Sequence, residues 1–134
     1  MLERFNEDAC RAIFLARYKA ENRRQPVVAV EDIVLGILQQ TMTVLRDQYQ
    51  LSFLDLREKI QATLPTSDTT HEGIDLPLSS EAKRSIAEAS EKAEIHVTPW
   101  FLLWVMYPAI NPDVTSILEA HGITRDSLTQ KKLV

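Results

Sequence analysis

The groups able to do chemistry in this 134-residue chain are few: one thiol at Cys10, three histidines at His71, His96 and His121, and the adjacent acids Glu31 and Asp32. A thiol nucleophile needs a base to take its proton and a third group to orient that base. The sequence suggests no such orienting group for Cys10. No histidine has a second histidine or cysteine at ligand spacing on its own helix, so neither a metal nor a cofactor is expected. His71 falls in a polar connection, and His121 suits the negative end of a helix. A small helical hydrolase or thiol enzyme using Cys10 or a histidine is therefore the weaker of two readings.

Glu31 and Asp32 open a helix, where their charge meets the positive end of the helix dipole. The same carboxylates could hold a partner's guanidinium through charge-assisted hydrogen bonds. Trp100 to Tyr107 is apolar all round, the signature of a core helix. Trp100 and Trp104 lie four apart on one face, so Trp100 is also a candidate interface anchor. The alternating charges of Glu81 to Glu94 read as a solvated face with weak pairs such as Glu88–Lys92.

The elements that position these groups are helices. Apolar residues at Ala9, Ala12, Ile13, Ala16 and Ala20 have the three-and-four spacing of one face, and Asn6 is placed to cap it, giving a helix over about 7–23. Pro26 breaks it. Helices follow over 30–40 and 43–49, and Ser52-Phe53-Leu54-Asp55 has a capping-box pattern opening a fourth, with Leu56, Ile60 and Leu64 on one stripe. Gly36, inside the second helix, costs about 1 kcal/mol relative to alanine, which marks a place where another backbone comes close. Residues 65–77, proline at both ends, read as a linker. Ser79 caps a helix to about Ile95, Thr98-Pro99 starts the next and Pro108 ends it. Asn111-Pro112-Asp113 opens a seventh helix that His121-Gly122 closes, and Thr124 caps a short eighth carrying Leu128.

The order repeats. Phe5 to Glu21 aligns without a gap on Leu78 to Glu94, with Ala9/Ala82, Arg11/Arg84, Ile13/Ile86, Ala16/Ala89, Lys19/Lys92, Ala20/Ala93 and Glu21/Glu94 identical. Unrelated segments of this length share roughly one such position. The expectation is a single all-α domain of eight helices, in two pseudo-twofold-related four-helix repeats: repeat one 1–64, linker 65–77, repeat two 78–134.

Composition narrows the function. A net charge of −4, with no basic cluster beyond Arg23-Arg24, argues against a nucleic-acid binder. The longest apolar run is too short to span a bilayer, and the start has no signal-peptide core. A lone cysteine fits a reducing compartment, so a cytoplasmic protein is expected. The only glycines are Gly36, Gly73 and Gly122, too dispersed for a phosphate-cradling loop, so the chain lacks an ATP motor.

Leu2-Glu3-Arg4-Phe5, the alanines at 9, 16 and 20, and Val28 to Leu38 (VAVEDIVLGIL) resemble the first repeat of the amino-terminal domain of Clp-type protein unfoldases. Ser79 to Ala93, Val97 to Tyr107 and Leu118 to Ile123 resemble the second. The resemblance spans almost the whole chain. It implies a non-catalytic module that binds substrate polypeptides or adaptor proteins for a Clp ATPase and protease system. In some relatives the glutamate of each repeat is associated with phosphorylated arginine. Here the family's Glu-His pair becomes Glu31-Asp32 in repeat one and Trp100-Phe101 in repeat two, so one such site would survive. The expected docking residues are Glu31, Asp32, Trp100, Phe101, Leu2 and Leu78, the expected partners a Clp ATPase, an adaptor or a substrate polypeptide, and the expected state a monomer. The ending Lys131 to Val134 carries no long tether, which favours a stand-alone chain over the receptor domain of a larger motor.

Overall fold

The computed structural model describes residues 2–67 and 76–134. The central part of the linker, with His71 and Gly73, lies outside the described residues. Eight α-helices follow in order: α1 (Glu7–Asn22), α2 (Val30–Gln40), α3 (Met42–Tyr49), α4 (Phe53–Gln61), α5 (Ser80–Lys92), α6 (Pro99–Met106), α7 (Pro112–Ala120) and α8 (Arg125–Gln130). A 3₁₀ turn, Tyr107–Ala109, carries α6 through Pro108 instead of stopping before it. No strand occurs among the described residues.

The caps read from the sequence are in place. Asn6 Oδ1 accepts from Ala9 N–H at 2.8 Å, and Ser79, Thr98, Asn111 and Thr124 side chains accept likewise at α5, α6, α7 and α8. At α4, Ser52 Oγ accepts from Asp55 N–H at 3.4 Å. Ala29 at the start of α2 has no cap to offer. There Asp32 reaches back to the Ala29 N–H at 2.9 Å and satisfies a donor that would otherwise be orphaned.

Two isolated backbone bridges join the halves, Phe5 with Val97 and Val28 with Leu78. Asn6 N–H donates to Val97 O at 3.0 Å while Val97 N–H donates to Arg4 O at 2.8 Å. In the other bridge Ser79 N–H donates to Val28 O at 2.9 Å while Val28 N–H donates to Pro77 O at 2.8 Å. The repeat alignment pairs Phe5 with Leu78, and matching the entries to α2 and α6 pairs Val28 with Val97. Each bridge therefore maps onto the other, as a pseudo-twofold demands. This pairing also corrects the end of α5: the chain leaves helical geometry at Ala93 rather than near Ile95, because it must become extended to meet Phe5. Arg4 steadies that exit by donating to the carbonyls of Ser90, Ala93 and Ile95.

The core is continuous across both halves. The alanine face of α1 is fully buried, and so is nearly every side chain of α2. A Cβ on Gly36 would stand 2.2 Å from the Ala12 carbonyl oxygen, so α1 and α2 touch backbone to backbone, as the lone mid-helix glycine foretold. Repeat two has Val105 at the matching position and Ser85 opposite. A cleft of about 510 Å³ opens along α5 and α6 there, lined by both residues.

Candidate functional site

The bridge between Val28 and Leu78 brings the start of α2 next to the start of α5. With the turn before α7 they enclose a groove of about 520 Å³, lined by Val27, Val30, Glu31, Ser79, Glu81 and Asn111 among others. Glu31 is half-buried, and its Oε2 accepts from the Asn111 N–H at 2.9 Å, tying α2 to the second repeat. Oε1 takes no bond among the described residues. Glu81 meets Arg84 only at 3.8 Å, between exposed side chains. The groove thus offers two carboxylates beside the apolar edge of half-buried Val27, with Val30, 3% exposed, in the wall behind, a setting that can accept a cationic side chain on an otherwise apolar segment.

The other expected residues fall elsewhere. Asp32 is 0% exposed and belongs to the interior. Arg23 Nη2 donates to both Asp32 oxygens at 2.8 Å, and its Nε donates to Oδ1 at 3.1 Å. Burial pushes the Asp32 carboxyl above its ordinary value, while the Arg23 and Ala29 donors pull it back. A carboxylate committed in this way cannot also meet a partner, so Asp32 is corrected from a docking to a structural residue. Trp100, the counterpart of Glu31, is 5% exposed and packs near Tyr49, their ring centroids 6.3 Å apart. An indole inside the core is no surface anchor, which corrects that expectation too. Phe101 is half-buried and stacks on Trp104 at 6.1 Å. Leu2 and Leu78 pack partly buried against the core, Leu78 next to the groove through the bridge.

The groups of the enzyme reading are not assembled among the described residues. Cys10 Sγ faces the Phe5 carbonyl at 3.9 Å. His121 Nδ1 bonds Ile117 O at 2.8 Å, and its Nε2 meets Lys59 Nζ at 3.0 Å. His96 is exposed. No group of three His, Cys, Asp or Glu able to hold a metal occurs among them, and no described helix is long and apolar enough to cross a membrane.

Glu81 and Asn111 were the residues that sequence reasoning missed. Glu81 looked like one more charge on a solvated face and Asn111 like a cap. What brings Glu31 and Glu81 together is the bridge between Val28 and Leu78, a contact distant in sequence that the repeat alignment, which pairs Glu31 with Trp100, does not reveal.

No protein-family model matches this sequence, and no curated protein does. Solved structures do. The N-terminal domain of the caseinolytic-protease-associated chaperone ClpD from Arabidopsis thaliana aligns with TM-score 0.76 and 20% identity over 99% of this chain and 97% of that one. The Hsp104 N-terminal domain from Candida albicans aligns with TM-score 0.69 and 15% identity over 96% and 88%. A ClpV N-domain, in complex with a VipB peptide, aligns with TM-score 0.68 and 18% identity over 95% and 83%. Alignment over nearly the whole chain with these domains gives it the fold of a Clp N-type domain.

Proposed function

We propose that the chain is a non-catalytic recognition module that binds substrate polypeptides or adaptor proteins for a Clp ATPase system, and that it does so in the groove between its repeats. The observation that carries this reading is the likeness, over nearly the whole chain, to Clp-type N-terminal domains, one of them holding a peptide. The working unit is the domain 1–134, repeat one 1–64 and repeat two 78–134 joined by 65–77, acting as a monomer in the cytoplasm. Glu31 and Glu81 receive the guanidinium group of an arginine, plain or phosphorylated. Val27 covers the apolar part of the segment, with Val30 and Leu78 behind it. With Trp100 buried where the second glutamate would stand, recognition rests on a single site.

The test is an affinity capture from lysate with the wild-type domain and with Glu31→Gln/Glu81→Gln. Glutamine at position 31 keeps an acceptor for Asn111, so the corner stays tied while the charge is removed. Recovery of a Clp ATPase, an adaptor or unfolded polypeptides by the wild type, and its loss in the variant, supports the proposal. Equal recovery by both proteins removes the groove from it.

A further inference from the structure

A surface on the first repeat, outside the Glu31 groove, carries the opposite charge. The ring of Phe53, at the start of α4, has two cations over it: Lys19 Nζ at 5.8 Å and Arg57 Cζ at 5.9 Å from its centroid. Like most lysines and arginines of the chain, neither cation forms an ion pair among the described residues; what sets these two apart is that they share one ring. Burial, and then the like charge of Arg57, hold the Lys19 ammonium below its ordinary value. Two like charges held over one ring are relieved by an approaching anion, in a chain whose net charge is −4.

Phe53 also lines a groove of about 660 Å³ at the corner between α3 and α4, together with Met42, Arg46, Leu51 and Leu54. Met42 is 54% and Leu54 59% exposed. Large apolar side chains held open beside a concave surface gain by being covered. Lys19 and Arg57, over the ring of Phe53 in the groove's wall, set the sign of what covers it, because opposite charge lowers the cost of bringing a segment there and like charge raises it.

We propose that the α3–α4 groove docks an acidic, apolar segment of a partner polypeptide. Its leucine-like side chains lie over Met42, Leu51 and Leu54, and its aspartate or glutamate pairs with Lys19 and Arg57. This surface is independent of the Glu31 groove and selects the opposite charge.

The probe is a random dodecapeptide library displayed on phage, panned on the folded domain. Enriched clones are remade as labelled peptides and measured by fluorescence anisotropy. They should carry Asp or Glu close to Leu, Phe or Met, bind Lys19→Gln/Arg57→Gln at least about tenfold more weakly, and bind Glu31→Gln/Glu81→Gln as they bind the wild type. Should the Lys19/Arg57 variant unfold, Leu54→Ser at an exposed position carries the same expected loss. Failure to enrich any peptide, enrichment of basic peptides only, or equal affinity for the wild type and the Lys19/Arg57 or Leu54 variants overturns the proposal.

Discussion

Replacing Gly36 by alanine pits helix propensity against packing. On propensity alone, alanine at a mid-helix glycine gains about 1 kcal/mol. In this fold the new Cβ would stand 2.2 Å from the Ala12 carbonyl oxygen and 3.2 Å from the Ala16 nitrogen, both backbone atoms of α1. A carbon and a carbonyl oxygen approach to about 3.3 Å, so α2 must withdraw by roughly 1 Å. No side-chain rotation relieves the clash. A gap of that size forfeits up to about half of each dispersion contact along the seam, where Ala12, Ala16, Ile33 and Ile37 are fully buried. Overpacking costs about 1–3 kcal/mol where side chains can adjust, and an obstruction by backbone belongs at the top of that range. The net expectation is a loss of about 2 kcal/mol, a fall in Tm of roughly 5–10 °C for a domain of this size. Thermal and urea denaturation followed by far-UV circular dichroism measure it, the m-value unchanged if only the native state is affected. A Tm equal to or above wild type would refute the backbone contact between α1 and α2.

Other substitutions probe other parts of the fold. Gly122 has φ +84° with nothing within 4 Å of a built Cβ, so Gly122→Ala should cost only backbone strain, about 1 kcal/mol, and equal loss at both glycines in chemical denaturation would contradict the distinction. Arg23→Met strands a buried Asp32 carboxylate and should cost about 3–5 kcal/mol in urea unfolding; a loss under 1 kcal/mol would show that Asp32 is not held by Arg23. Burial, with Glu119 nearby, pushes the Tyr107 hydroxyl up to about 12, and that hydroxyl donates to Ile123 O at 2.7 Å. The unfolded chain ionises this tyrosine near pH 10 while the folded one keeps its proton, so stability declines from pH 10 to 12 and is fully present below. Tyr107→Phe should make that decline shallower by up to one proton, read from unfolding free energies across the window.

The helices were legible where the determinants are local. The face of Ala9, Ala12, Ile13, Ala16 and Ala20 and the caps Asn6, Ser79, Thr98, Asn111 and Thr124 each act within a turn of their own position, and all were read correctly. Glu88 and Lys92 also meet as expected, at 2.9 Å. Gly36 was legible because its cost inside a helix requires a reason. What escaped depends on partners distant in sequence or on burial. The end of α5 is set by pairing with Phe5, far back in the chain. Asp32 is taken inward by Arg23, and Trp100 by the core around Tyr49, and neither contact leaves a mark in the local pattern. Gln50 adopts the left-handed conformation at φ +55° two residues before a cap, as Gly122 does in repeat two. A glutamine gives no sign of that, whereas a glycine does. Half of the groove was readable at Glu31. The other half, Glu81, is brought there by the bridge between Val28 and Leu78, which no local pattern announces.

The central claim is that a polypeptide docks between the repeats on two carboxylates. Amide chemical-shift mapping of the ¹⁵N-labelled domain tests it most directly, on addition of a short apolar peptide bearing one arginine and of the same peptide bearing glutamate instead. The account predicts shifts concentrated at Val27 to Glu31, Ser79 to Glu81 and Asn111 with the arginine peptide, and their disappearance in Glu31→Gln/Glu81→Gln. Shifts confined to other surfaces, or the same response to the glutamate peptide, would contradict it.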